Sequence, residues 1–185
     1  MVDELLTELN SRMQKAVDGL AKELATIRAG RATPALLDNV VVEYHGSPVP
    51  LYQLATMSTP EANLIVVQPW DRASLRDIEK AILAANIGLN PANDGNLIRV
   101  LIPPLSEERR IELVKLVSRK IEERRIAIRN IRRDGIEKLR EMERSKEISQ
   151  DDLKSNTKKI DQLTEAFVDQ VNELGESKER EIREI

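Results

Sequence analysis

The chain has no cysteine, one histidine, and aromatic side chains at only 2% of its 185 positions. Without cysteine there is no disulfide framework, no thiolate nucleophile and no thiolate metal site. The lone histidine lies in the turn-like run His45-Gly-Ser-Pro48, so a histidine-based triad or zinc site has no material. Neither GxxxxGK[ST] nor GxGxxG occurs, which removes the common phosphate-cradling loops. Asp94-Gly95 lacks the alternating oxygens and closing glutamate of a calcium loop. Asp71, Asp77 and Glu79 stand near a helix start, where capping and solvation account for them. No apolar run approaches the roughly 20 residues of a membrane span. The opening Met1-Val-Asp-Glu-Leu-Leu-Thr-Glu8 is acidic and amphipathic, unlike a signal or transit peptide. The expectation is a cytoplasmic non-enzyme without cofactor, metal or membrane contact. With Tyr44, Tyr52, Trp70 and Phe167 as the aromatic inventory, the core must be aliphatic. A nucleic-acid surface built on base stacking is disfavoured.

Charge, by contrast, is abundant and segregated. Charged residues are 33% of the chain, and the formal net charge is −3. From Arg109 to Arg133, however, ten lysines and arginines face three acids. These residues lie in a proline-free segment, Glu107 to about Arg144, in which Val114, Val117, Ile121, Ile128, Ile131, Leu139 and Met142 follow the spacing of a buried helical seam. At about 100° per residue, Arg125, Arg129, Arg132 and Arg133 fall within one arc of roughly 100° beside that seam. Planar guanidinium forks bond phosphate bidentately, which ammonium cannot. A solvated charged face is the bland alternative, but the local excess of positive charge favours a phosphate-reading surface.

Residues 2–28 also read as a helix, with Leu6, Leu9, Met13, Ala16, Leu20, Leu24 and Ile27 as its stripe. It runs out at Gly30, ahead of Pro34. The period then changes: Asn39–Tyr44, Leu64–Gln68 and Leu97–Ile102 read as strands. Ser74-Leu-Arg-Asp77 matches a capping box opening a short helix, and Asn90-Pro-Ala-Asn-Asp-Gly95 a turn cluster. A second capping box, Ser149-Gln-Asp-Asp152, opens a last helix burying Leu153, Ile160, Leu163, Phe167, Val171 and Leu174. Three single-striped helices cannot stand alone, so they predict a long antiparallel three-helix bundle built from residues 1–29 and 106–185. Residues 30–105 form a small α/β (β/α/β) domain inserted into it, giving an α+β protein. Two short crossings, with Gly30, Ala32 and Pro34 on one and Pro103, Pro104, Leu105 and Ser106 on the other, read as a hinge.

Ile27-Arg-Ala-Gly-Arg-Ala32, Pro69-Trp-Asp71, Ile78-Glu-Lys-Ala-Ile82, Gly88-Leu-Asn-Pro91, Asn93-Asp-Gly95, Ile98-Arg99, Glu107-Glu-Arg-Arg110 and Ile128-Arg-Asn-Ile-Arg-Arg-Asp134 occur in this order. Together, over essentially the whole chain, they resemble the bacterial ribosome recycling factor family. The resemblance implies an L-shaped, monomeric two-domain translation factor that hydrolyses nothing. It implies binding to the post-termination ribosome through large-subunit ribosomal RNA, and subunit splitting with elongation factor G and GTP. By motif it places RNA contacts on Arg28, Arg31, Arg110, Arg129, Arg132 and Arg133; Arg125 comes from the arc alone. A helical adaptor with solvated arginines is the alternative. Three positions depart from the family's usual pattern. Tyr44-His45-Gly46 has one aromatic before the turn glycine where two are common. Arg124-Arg125 replaces a small residue and a lysine, which should strengthen the positive stripe. Gly135 replaces alanine, at a cost of about 1 kcal/mol in a helix interior that the sequence leaves unexplained.

Overall fold

A computed structural model describes residues 1–184. They form four α-helices, α1 (Val2–Ala25), α2 (Leu75–Ala84), α3 (Glu107–Arg144) and α4 (Gln150–Arg183). Six strands join them: β1 (Val41–Tyr44), β2 (Ser47–Pro50), β3 (Ala55–Glu61), β4 (Leu64–Pro69), β5 (Asn90–Asn93) and β6 (Ile98–Leu101). The chain divides into two compact units, Met1–Arg28 with Glu107–Glu184, and Ala29–Ser106.

The first unit is a three-helix bundle. Glu8 and Arg12 of α1 pair with Lys138 and Asp134 of α3, and Glu23 pairs with Arg124, so α3 runs antiparallel to α1. Arg125 and Arg132 reach Asn172 and Asp161, so α4 is antiparallel to α3 as well. The buried stripes are Leu5, Leu9, Met13, Val17, Leu20 and Leu24 on α1, and Leu113, Val117, Ile121, Ile128, Ile131, Ile136 and Leu139 on α3. Each helix of such a bundle buries only the arc between its two neighbours. The expected Leu6, Ala16, Val114, Met142, Leu153, Leu163 and Leu174 therefore flank the core and are half-buried. On α4, Thr164, Gly175 and Lys178 take buried positions with Ile160, Phe167, Val171 and Ile182. Thr164 Oγ1 satisfies itself by donating to Ile160 O, and Lys178 Nζ reaches Glu181 at 3.3 Å.

Two glycines set how closely the helices approach. A Cβ on Gly135 would lie 2.4 Å from Leu9 Cδ1, and one on Gly175 would lie 2.8 Å from Ile121 Cγ1. Leu9 is fully buried, so it has no free space into which to retreat. The unexplained Gly135 is thus the notch into which α1 packs.

The ends of the helices follow local chemistry. Ser149 and Asp152 form the reciprocal capping box of α4. Helix α1 stops at Ala25, short of the expected residue 28, where Thr26 N–H and Oγ1 both bond Glu23 O and Ile27 N–H bonds Leu24 O. Those i→i−3 bonds tighten the last turn and end the helix.

In the second unit β3-β4-β6-β5 make one antiparallel sheet and β1-β2 a hairpin. The predicted strands correspond to β1, β4 and β6. Ile65 and Val67 of β4 and Ile98 and Val100 of β6 are fully buried, as period-two alternation on central strands requires. Strands β2, β3 and β5 are additions to the sequence reading. They carry Pro48 and Pro50, Pro60, and Pro91, and all lie at edges, where proline is tolerated. Asn90–Asn93 is therefore a strand rather than a turn, and Asn93 Oδ1 and Asp94 Oδ1 accept from the following N–H groups to make the bend. His45 and Gly46, at φ 51° and 78°, form the two-residue turn between Tyr44 and Ser47. The capping box expected at Ser74 does not form. Asp71 caps a 3₁₀ turn, Arg72–Ser74, ahead of α2, and the Ser74 hydroxyl donates back to Asp71 O.

Candidate nucleic-acid interface

The four arginines of the arc differ once α4 is in place. Arg125 donates through Nε to Asn172 Oδ1 at 2.8 Å and through Nη1 to Glu122 at 3.0 Å. Arg132 donates through Nε to Asp161 Oδ1 at 2.6 Å. Arg129 lies 3.7 Å from Glu122 and is 56% exposed. Arg133 is exposed and makes no hydrogen bond or ion pair among the described residues. Arg125 and Arg132 thus line the seam with α4, and Arg129 and Arg133 turn progressively outward. Among the described residues, one nitrogen of Arg125 and two of Arg132 meet no acceptor.

Arg124 points elsewhere, which corrects the expectation that it adds to the stripe. Its Nη2 bonds Glu23 Oε1 at 2.6 Å across the α1 seam, and Lys120 joins the same carboxylate at 3.4 Å. Its guanidinium lies against Gly19, 3.2 Å from the place of a Cβ. Burial alone would raise the Glu23 carboxyl, but Arg124 and then Lys120 outweigh it and hold it below the ordinary glutamate range. This partly exposed triad bridges the seam between α1 and α3.

The remaining predicted residues are dispersed. Arg28 is exposed at the end of the bundle's first segment, and Arg31 is exposed in the second unit. Arg110, partly buried near the start of α3, lines a groove of about 400 Å³ with Glu107, Ile111, Val114, Lys115 and Arg183. Its Nε is buried without a hydrogen-bond partner among the described residues. At the crossings, Gly30 has φ 77° and the Leu105 side chain lies 3.0 Å from where its Cβ would be. Ala32 N–H bonds Ala62 O at 2.7 Å, and Ile102 N–H bonds Asn63 O at 2.7 Å. Thr33 caps a 3₁₀ turn that Pro34 opens. Ala32 and Pro34 are therefore anchored in the small unit, and Pro103, Pro104, Leu105 and Ser106 follow the bond from Ile102 to the β3–β4 turn. Lys115 and Arg119 belong to the positive excess read from the sequence but not to its expected contacts; both are exposed and form no ion pair among the described residues. They stand 18 and 14 positions before Arg133, which at about 100° per residue puts them on the same outward side; the signal was there.

The first unit is thus an aliphatic bundle with half-exposed and exposed arginines along α3, and the second a small sheet unit. The family model described as "Ribosome recycling factor" matches residues 20–182. The ribosome-recycling factor of Carboxydothermus hydrogenoformans is 51% identical over 185 residues, covering all of both chains. That of Bacillus licheniformis is 48% identical over the same span. A solution structure of the ribosome recycling factor aligns with TM-score 0.69 at 42% identity, covering 100% of this chain and 98% of that one. A second structure, at TM-score 0.60 and 44% identity over 98% of each chain, depicts the Thermus thermophilus recycling factor and the Escherichia coli elongation factor G bound to the post-termination complex. The chain belongs to the ribosome recycling factor family, a family of translation factors rather than classical enzymes. No helix among the described residues is long and apolar enough to cross a membrane.

Proposed function

We propose that this chain acts in the cytoplasm on the post-termination ribosome. The outward side of α3 lies on ribosomal RNA, and elongation factor G with GTP splits the subunits; the chain itself hydrolyses nothing. Arg125, Arg129, Arg132 and Arg133 are the core of the contact, with Arg28, Arg31 and Arg110 beyond it. The observation that carries this reading is the state of Arg132. Its guanidinium is oriented by one bond at Nε, and its two terminal nitrogens meet no acceptor among the described residues. The related complex of a recycling factor with elongation factor G supports the choice of partners.

Ribosome co-sedimentation across a salt series tests the contact. Arg129→Ala and Arg132→Ala should keep far-UV helicity, weaken binding, and each lower the salt slope by about one phosphate contact. Arg132→Lys should restore only part of the affinity, since it loses the fork. Unchanged affinity and slope in both alanine variants would remove α3 from the interface.

The crossings complete the proposal as a joint. The backbone bonds of Ala32 and Ile102 to the turn at Ala62-Asn63 support a joint at Gly30-Arg31 and Pro103–Ser106. A disulfide engineered between the two crossings should leave ribosome binding within a few-fold and stop subunit splitting until it is reduced. Splitting at the normal rate by the oxidised protein would take interdomain motion out of the mechanism.

A further inference from the structure

Helix α4 carries Asp161, Glu165, Asp169, Glu173 and Glu176, with no lysine or arginine from Ile160 to Ser177. Like charges at i, i+4 weaken a helix, so this ladder is not there for helix stability. Glu165, Asp169, Glu173 and Glu176 make no hydrogen bond or ion pair among the described residues. Asp161 alone in the ladder reaches α3, accepting from Arg132 Nε at 2.6 Å.

We propose that Asp161 is a positioning residue for phosphate recognition, fixing the Arg132 guanidinium before RNA arrives. The proposal rests on the reading of α3 as the RNA contact. The pair is 41% and 47% exposed, and exposed ion pairs add little to stability. A carboxylate near a phosphate site also repels the ligand, so stability and simple charge both fail to explain its placement. Orientation does explain it. An Nε contact occupies the side of the guanidinium and leaves the terminal pair of nitrogens as an intact bidentate edge. A long side chain ordered in advance does not have to be ordered on binding, a saving that corresponds to about twofold to tenfold in affinity. Arg133, the next residue, has no such partner among the described residues and serves as the internal contrast.

Ribosome binding is compared for wild type, Asp161→Ala, Asp161→Asn, Arg132→Ala and the Arg132→Ala/Asp161→Ala double variant, with Arg132 Nε–H exchange followed by NMR in the free proteins. Asp161→Ala should bind about twofold to tenfold more weakly, with its salt slope unchanged and Arg132 Nε–H exchange accelerated. Asp161→Asn keeps an oxygen acceptor for Nε and should retain at least wild-type affinity and slow exchange. In the Arg132→Ala background, removing Asp161 should weaken binding no further. Equal or tighter binding by Asp161→Ala, or Asp161→Asn as weak as the alanine variant, overturns the positioning role. If Arg132→Ala weakens binding while Asp161→Ala does not, only the positioning role falls. If Arg132→Ala has no effect, the α3 reading and this proposal fall together.

Discussion

The two flanks of α3 use the same residue type for opposite ends. On the α1 flank, Arg124 is 25% exposed and shares Glu23 with Lys120, and Gly135 receives Leu9. On the α4 flank, Arg132 meets a single carboxylate through one nitrogen and stays 41% exposed. Arg124 and Arg125 are neighbours in sequence, yet one turn of about 100° sends them to different seams. The lesson concerns azimuth. A guanidinium that is 25% exposed and shares its carboxylate with a second cation across a seam serves the fold, and one that stays 41% exposed beside a carboxylate of its own can serve a ligand.

The contrast is broken most severely at Gly135. Gly135→Ala should destabilise the bundle by about 2 kcal/mol, because overpacking against Leu9 exceeds the helix-propensity gain of about 1 kcal/mol. In a Leu9→Ala background the same change should be neutral or stabilising, since the colliding methyls are gone. Urea unfolding of the four proteins decides this. A single variant more stable than wild type would mean that α1 does not need the notch.

Arg124→Ala should cost about 1 kcal/mol and leave ribosome affinity within about twofold. Arg125→Ala should lower ribosome affinity as well as losing its bond to Asn172, and equal loss of affinity from both variants would erase the distinction between flanks. The smallest effect is on pH dependence. Because the Glu23 carboxyl is held below its ordinary value, the stability it contributes is fully present above about pH 4.3 and is lost as pH falls through the lowered folded value. Glu23→Gln should therefore flatten the stability–pH curve below about pH 4.3. Identical acid limbs for the two proteins would show that the triad is not linked to folding.

The long reach of α3, the capping box at Ser149 and the central strands β4 and β6 were legible because each is written in local spacing. The partition of the arginines was not. Their common arc follows from the sequence, but which side of it faces α1 or α4 is decided only by assembly. Gly135 was opaque for a related reason, since what excludes its methyl is Leu9, at the far end of the chain. Strands β2, β3 and β5 were hidden by prolines that only an edge position makes acceptable. At Ser74 a valid capping pattern lost to Asp71, which stands three residues earlier and closes its own turn first. The basic residues of α3 were visible in the sequence, whereas the bond that orients Arg132 needed Asp161, on a different helix.

The bundle is discontinuous, formed by Met1–Arg28 and Glu107–Glu184, and this imposes an order on its birth. Synthesis delivers α1 first, and its stripe of Leu5, Leu9, Met13, Val17, Leu20 and Leu24 has nothing to cover it until α3 and α4 are made. The inserted unit holds its own core, so it can close while α1 waits. Helices α3 and α4 are joined by a short turn and meet at little entropic cost, whereas α1 must be recaptured across the whole insertion. The last event in making the bundle is therefore the seating of its first-made helix, with Leu9 entering the notch at Gly135.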